Sequence, residues 1–152
     1  MPPVDTSMAL EDAQEERVIA WINNTTTHGI TLGITPRQEF EDSTTELTLP
    51  AVVVKCEVLQ ELLPNVGNFK LRTVVCLKTQ ADDTTDATQR LQWHNLRSIL
   101  MWSNLDVQLN TGANNYTCFL NSIFREDPMP RTEHDRHWEQ EFIFTNWACS
   151  SS

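Results

Sequence analysis

Residues 69–80 read FKLRTVVCLKTQ, and their alternation decides the fold class. Phe69, Leu71, Thr73, Val75 and Leu77 fall on one side of an extended chain, and Lys70, Arg72 and Lys78 on the other. A half-buried strand produces that period of two, and a helix does not. Just upstream, LTLPAVVVKCEVLQELL (residues 47–63) places Val52, Val54, Cys56 and Val58 on one face of a strand beginning after Pro50. PNVGN (residues 64–68) supplies the turn between the two. The pair is a hairpin with one wet face.

Downstream the period changes. ADDTTDATQRLQWHNLRSILMW (residues 81–102) spreads Ala87, Leu91, Leu96, Ile99 and Trp102 over one apolar helix face, with Asp86, Arg90 and Arg97 opposite. An earlier helix is expected over residues 7–23, capped by Ser7, with acidic residues in its early turns where the positive helix end favours them. After the turn cluster NTGANN (residues 110–115), YTCFLNSIF (116–124) and HWEQEFIFTNWAC (137–149) read as two further strands. The order helix, strand, strand, helix, strand, strand predicts an α+β domain. Its antiparallel or mixed four-stranded sheet is packed by two helices on one face. It is read as one domain over residues 1–152, with 1–6 and 150–152 as flexible termini. Residues 24–46 hold two glycines, a proline and many threonines with no sustained period. They read as an extended arm or loop, expected to be mobile in an isolated subunit and ordered in an assembly.

Lys and Arg number 11 against 21 Asp and Glu, a formal net charge of -10. That balance argues against nucleic acid or an anionic membrane as a direct ligand, because both are held by cationic groups. The four cysteines, Cys56, Cys76, Cys118 and Cys149, form no CxxC pair and read as free thiols. No signal peptide or membrane span is expected from the N-terminal residues or from any apolar run.

The chemical leads are few. His134 and His137 stand among Asp135, Glu139 and Glu141. Residues three apart on one strand point to opposite faces, so these histidines converge only on a helix or a tight turn. A solvated loop over REDPMPRTEHDRH (residues 125–137) is the expected setting, and no third ligand stands at motif spacing. Asp82, Asp83 and Asp86 have the make-up of a hard-cation site, but carboxylates of this kind also open ordinary helices. No GxSxG, P-loop or dinucleotide turn is present. The expectation is no catalytic residue, no cofactor and no metal. Trp93 lies close to the polar stripe of its helix, and aromatic residues there suit a partner contact.

The layout resembles the tail terminator proteins of tailed bacteriophages, also called tail completion or head–tail joining proteins. The resemblance is carried by the N-terminal helix, LPAVVVKCE, GNFKLRTVVCLKTQADD, a helix with LRSIL near its end, YTCFLNSIF and FIFTNWAC. The closest match is VVCLKTQADDTTDATQRLQWHNL, where a strand ends in a short acidic turn and feeds directly into a helix. It is a likeness of layout over most of the chain, and the arm at 24–46 and the loop at 125–137 have no counterpart in it. The resemblance implies a structural virion protein of the phage neck, assembled in the host cytoplasm. Its partners would be further copies in a hexameric ring, the tail tube protein and the head-completion connector. DNA would pass through the lumen without specific binding, and no membrane would be involved. Candidate subunit or partner contacts are Trp93 and His94, Thr31, Ile34 and Phe40 on the arm, and Arg125 and Arg131 in the second loop. A monomeric protein-binding module and a small metal-dependent hydrolase using His134 and His137 are the other functions compatible with the residues.

Overall fold

The computed structural model describes residues 7–39, 50–62, 68–80, 86–101, 108–110, 115–123, 132–134 and 137–150. Helix α1 spans Ser7–Asn23 and the four-residue α2 spans Thr25–His28, while α3 covers Asp86–Met101. The strands are β1 (Pro36–Gln38), β2 (Ala51–Leu62), β3 (Asn68–Gln80), β4 (Gln108–Asn110), β5 (Asn115–Ile123), β6 (Thr132–His134) and β7 (His137–Ser150). The α+β class holds. The four long strands lie in the order β2-β3-β7-β5, each antiparallel to its neighbour. Three short strands widen this sheet: β1 is parallel on β2, β4 pairs with β5, and β6 folds back on β7 inside the stretch expected to be a loop.

One face of the sheet holds the core. The register sets Val54, Val75 and Phe142 in one cross-strand row and Cys56, Thr73 and Phe144 in the next. All six are buried. On α1 the spacing of four places Leu10, Gln14, Val18 and Ile22 along one side, facing this layer. On α3, Leu96, Ile99 and Leu100 do the same. Burying a side chain such as Phe142 contributes about 1.5–3 kcal/mol. The Trp21 indole Nε1 donates to the Ile99 carbonyl at 2.8 Å and ties the two helices together. Gln14 breaks the apolar stripe of α1, and its Nε2 donates to Thr73 Oγ1 at 3.3 Å and Asn146 Oδ1 at 3.1 Å.

Both outer long strands carry a bulge at the same level of the sheet. Val58, Leu71, Asn146 and Leu120 form one row, and the register shifts just beyond it on β2, between Val58 and Gln60, and on β5, between Leu120 and Ser122. The outer strands thus run one residue longer than the inner pair, which bends the sheet locally and raises its twist. Leu59, the extra residue of β2, is 49% exposed.

Glu11 and Asp12 fall in the second turn of α1, within the early turns expected to hold acidic residues. Two expectations about α3 are corrected. Leu91 is 61% exposed rather than on the apolar face of α3. It precedes Leu100 by nine residues, two and a half turns, and so lies on the opposite side. Trp93 precedes Leu100 by seven residues, close to two turns, and packs against the core instead.

Of the two forms expected for the segment at 24–46, residues 24–39 take that of a loop, folded back on their own chain. Gly29 closes α2 at φ 73°, and the His28 ring bridges the Ile22 carbonyl through Nε2 (3.0 Å) and the Ile30 N–H through Nδ1 (3.1 Å). Gly33, at φ 76°, makes a second left-handed step. Leu32 is then buried, with Ile30 and Ile34 packed on the core, and Pro36–Gln38 pair with Val52–Val54. These alternating apolar residues supply the burial that the polar composition of the segment concealed. Residues 40–46 lie outside the described residues.

Candidate functional site

Residues between the core positions of each strand point to the second face of the sheet, since side chains alternate. There β2 presents Val53, Lys55 and Glu57; β3 presents Lys70, Arg72, Val74, Cys76 and Lys78; and β7 presents Glu139, Glu141, Ile143, Thr145 and Trp147. Among the described residues no helix covers this face. Its rows read Val53, Cys76, Glu141; Lys55, Val74, Ile143; and Glu57, Arg72, Thr145. With Glu39 at the margin of the shallow depression, four cations stand against four carboxylates around an apolar centre of Val53, Val74, Cys76 and Ile143. A buried apolar centre with a polar rim is the anatomy of a protein contact.

The charges are partly satisfied within the face. Lys55 Nζ lies 3.0 Å from Glu57 Oε1, Lys78 Nζ lies 3.6 Å from Glu139 Oε1, and Lys70 Nζ sits 5.9 Å from the Trp147 ring centroid. All these groups keep solvent contact, so each pair contributes little to stability.

Cys76 Sγ and carboxylate oxygens of Glu139 and Glu141 lie within 4.8 Å of one another, a set with the atoms to hold a metal ion. Burial, and then the Glu139 charge, push the free Cys76 thiol up to about 12, so without a metal it is protonated and not a ready nucleophile. Lys78 already neutralises Glu139 from the other side.

At the margin of the sheet, Glu15 takes the place of a strand. Beyond Gln38 the β1 pairing ends with the Glu39 N–H donating to the Val54 carbonyl at 3.0 Å. The next outward donor, the Cys56 N–H, goes to Glu15 Oε2 at 2.8 Å, and Gln38 Nε2 donates to Glu15 Oε1 at 3.2 Å. The carboxylate thereby joins α1, β1 and β2. Burial raises its pKa above the ordinary value, with the Cys56 N–H and Gln38 opposing.

His134 and His137, at the facing ends of β6 and β7, are Cα partners in the backbone register, so they belong to two paired strands and not to one continuous strand. Trp93 is half-buried, 6.0 Å from Phe142 between ring centroids, with the Arg97 guanidinium 5.5 Å from its own. It packs on the edge of the chain's own core and keeps part of its surface exposed. His94 is exposed beside it at 4.6 Å, Thr31 is exposed, and Ile34 packs inward. Phe40, Arg125 and Arg131 lie outside the described residues, as do Asp82 and Asp83.

The second sheet face and Glu15 are sites that the sequence alone does not single out. The signal of the face was present in the alternation of Glu139 and Glu141 with Gln140 and Phe142. The pairing of β7 with β3, which brings these acids beside Lys78 and Cys76, is a long-range fact. No protein-family model and no curated protein matches the chain, so similarity of sequence places it in no family.

Proposed function

We propose that the chain is a structural subunit that assembles head to tail into a closed ring. In this proposal it acts as a tail terminator of a tailed bacteriophage, located in the virion neck and assembled in the host cytoplasm. The observation that carries the proposal is the two-sided build of the subunit. Two long helices cover one sheet face, and the other presents an apolar centre rimmed by balanced charges. Such a surface suits a protein neighbour, and a subunit whose two contact surfaces differ builds a ring when its rotation closes. The order of elements that resembles the terminator family supports the specific role, with the tail tube protein and the connector as further partners. The role requires no catalytic step. Electron microscopy of the purified chain tests the proposal: closed rings of uniform subunit number are expected, and a field of single-subunit particles at assembly concentrations contradicts it.

A further inference from the structure

The two outward surfaces of the subunit differ in local charge. Helix α1 carries Glu11, Asp12, Glu15 and Glu16 against Arg17. Its side away from the core is a stripe of Met8 (77% exposed), Asp12, Glu16 and Ala20, all exposed and spaced by four. On the far side of the sheet, β3 carries the opposite sign. Its outward row is Lys70, Arg72, Val74, Cys76 and Lys78, three cations and no acid.

The spacings match. Asp12 and Glu16 are separated by about 6 Å along the helix axis at 1.5 Å per residue. Lys70 and Arg72 are separated by about 7 Å along the strand at 3.3–3.4 Å per residue. Met8 would then reach the Val74 and Cys76 stretch at the apolar centre of the face. Resting on the ring assembly proposed above, we infer that the outward stripe of α1 in one copy seats on the β3 cation row of the next.

The partner is a second copy because the cation row is narrow. Glu57 flanks it on β2, and Glu139 and Glu141 flank it on β7. Neighbouring strands lie about 4.8 Å apart, so a broad polyanion such as duplex DNA meets these acids as soon as it meets the lysines. The α1 stripe instead carries its exposed acids in one line, so they can stand over the cations rather than over the flanking acids. Because α1 and the open face lie on opposite sides of the sheet, the contact is head to tail, the arrangement a ring needs. Charge within each contact is then favourable even though the whole chain carries -10.

Charge exchange in the full-length chain tests the contact. One variant carries Met8→Lys and Glu16→Lys; Asp12 is left alone because it accepts from Gln38 Nε2 at 2.6 Å. A second carries Lys70→Glu and Arg72→Glu, and a third combines all four changes. Sedimentation velocity gives the subunit concentration at half assembly, and circular dichroism verifies the fold. Each paired variant should raise that concentration about tenfold or more, and the combined chain should return toward the wild-type value. The α1 positions are on the surface, so that variant reports even where the β3 variant fails to fold. An α1 variant that assembles like the wild type overturns the inference and leaves the ring proposal standing. A combined chain that stays dissociated while both paired variants are folded overturns it as well. A wild-type chain that is monomeric throughout removes the ring proposal and this contact together.

Discussion

Glu15 is the residue whose replacement reports most about the architecture. It is 4% exposed, and its carboxylate holds the Cys56 N–H and the Gln38 amide, joining α1 to the margin of the sheet. Glu15→Ala withdraws the acceptor from a buried donor, which costs about 1–3 kcal/mol. At roughly 2–4 °C per kcal/mol for a domain of this size, the melting temperature should fall by several degrees. Glu15→Gln keeps an acceptor and removes the charge, so it isolates the titration. The folded-state pKa is raised above the ordinary 4.5, chiefly by burial. A group so shifted contributes its full stabilisation below the unfolded value, and that contribution is lost as pH rises through the folded value. The stability of Glu15→Gln relative to wild type should therefore increase as pH rises from 4.5 through the raised value. Urea unfolding of the three proteins from about pH 4 to about pH 8 measures both effects. A cost below about 0.5 kcal/mol for the alanine would place Glu15 among ordinary surface residues and refute its role in joining α1 to β1 and β2. A difference between Gln and wild type that stays flat or falls with pH would refute burial as the cause of the shift.

Phe142→Ala should cost about 3–5 kcal/mol in denaturant unfolding, because the side chain is fully buried at the centre of the core layer. On α3, Leu91→Gln should change stability by no more than about 0.5 kcal/mol while Leu96→Ala costs about 2–5 kcal/mol, and equal costs would contradict the phase assigned to the helix. Thiol labelling of the native protein at mildly alkaline pH should be slow at Cys56, which is inaccessible, and at Cys76, whose thiol is pushed up to about 12. Rapid labelling of Cys76 would show that its side of the sheet is more open than the register implies.

Local pattern carried the long elements. The alternation of FKLRTVVCLKTQ fixed both faces of β3, and the spacing of Leu10, Val18 and Ile22 suits the observed α1. What depended on long-range pairing was not legible. The folding of residues 24–39 onto β2 requires the edge that Val52–Val54 offer, which no local feature of NNTTTHGITLGITPRQ announces. The phase of α3 was misjudged because Leu91 is apolar and Trp93 stands beside His94, whereas packing on Phe142 decides which side turns inward. The register of β6 with β7 placed His134 opposite His137, a relation hidden by counting residues along one strand. The outward face was half visible. Its charges alternate in the sequence, but only the neighbouring strands show that acid and base occupy adjacent rows around Cys76.

The native mass of the wild-type chain, measured across subunit concentration, tests the ring most directly. Six copies of a 17.5 kDa subunit would give 6 × 17.5, about 105 kDa, as one dominant species in equilibrium with free subunits. Acidic chains repel at long range, and screening shortens that repulsion to a Debye length of about 8 Å at physiological ionic strength, so assembly should be favoured there over very dilute buffer. The account predicts a closed species that does not grow further as concentration rises. A mass that stays at 17.5 kDa over the whole range would contradict it.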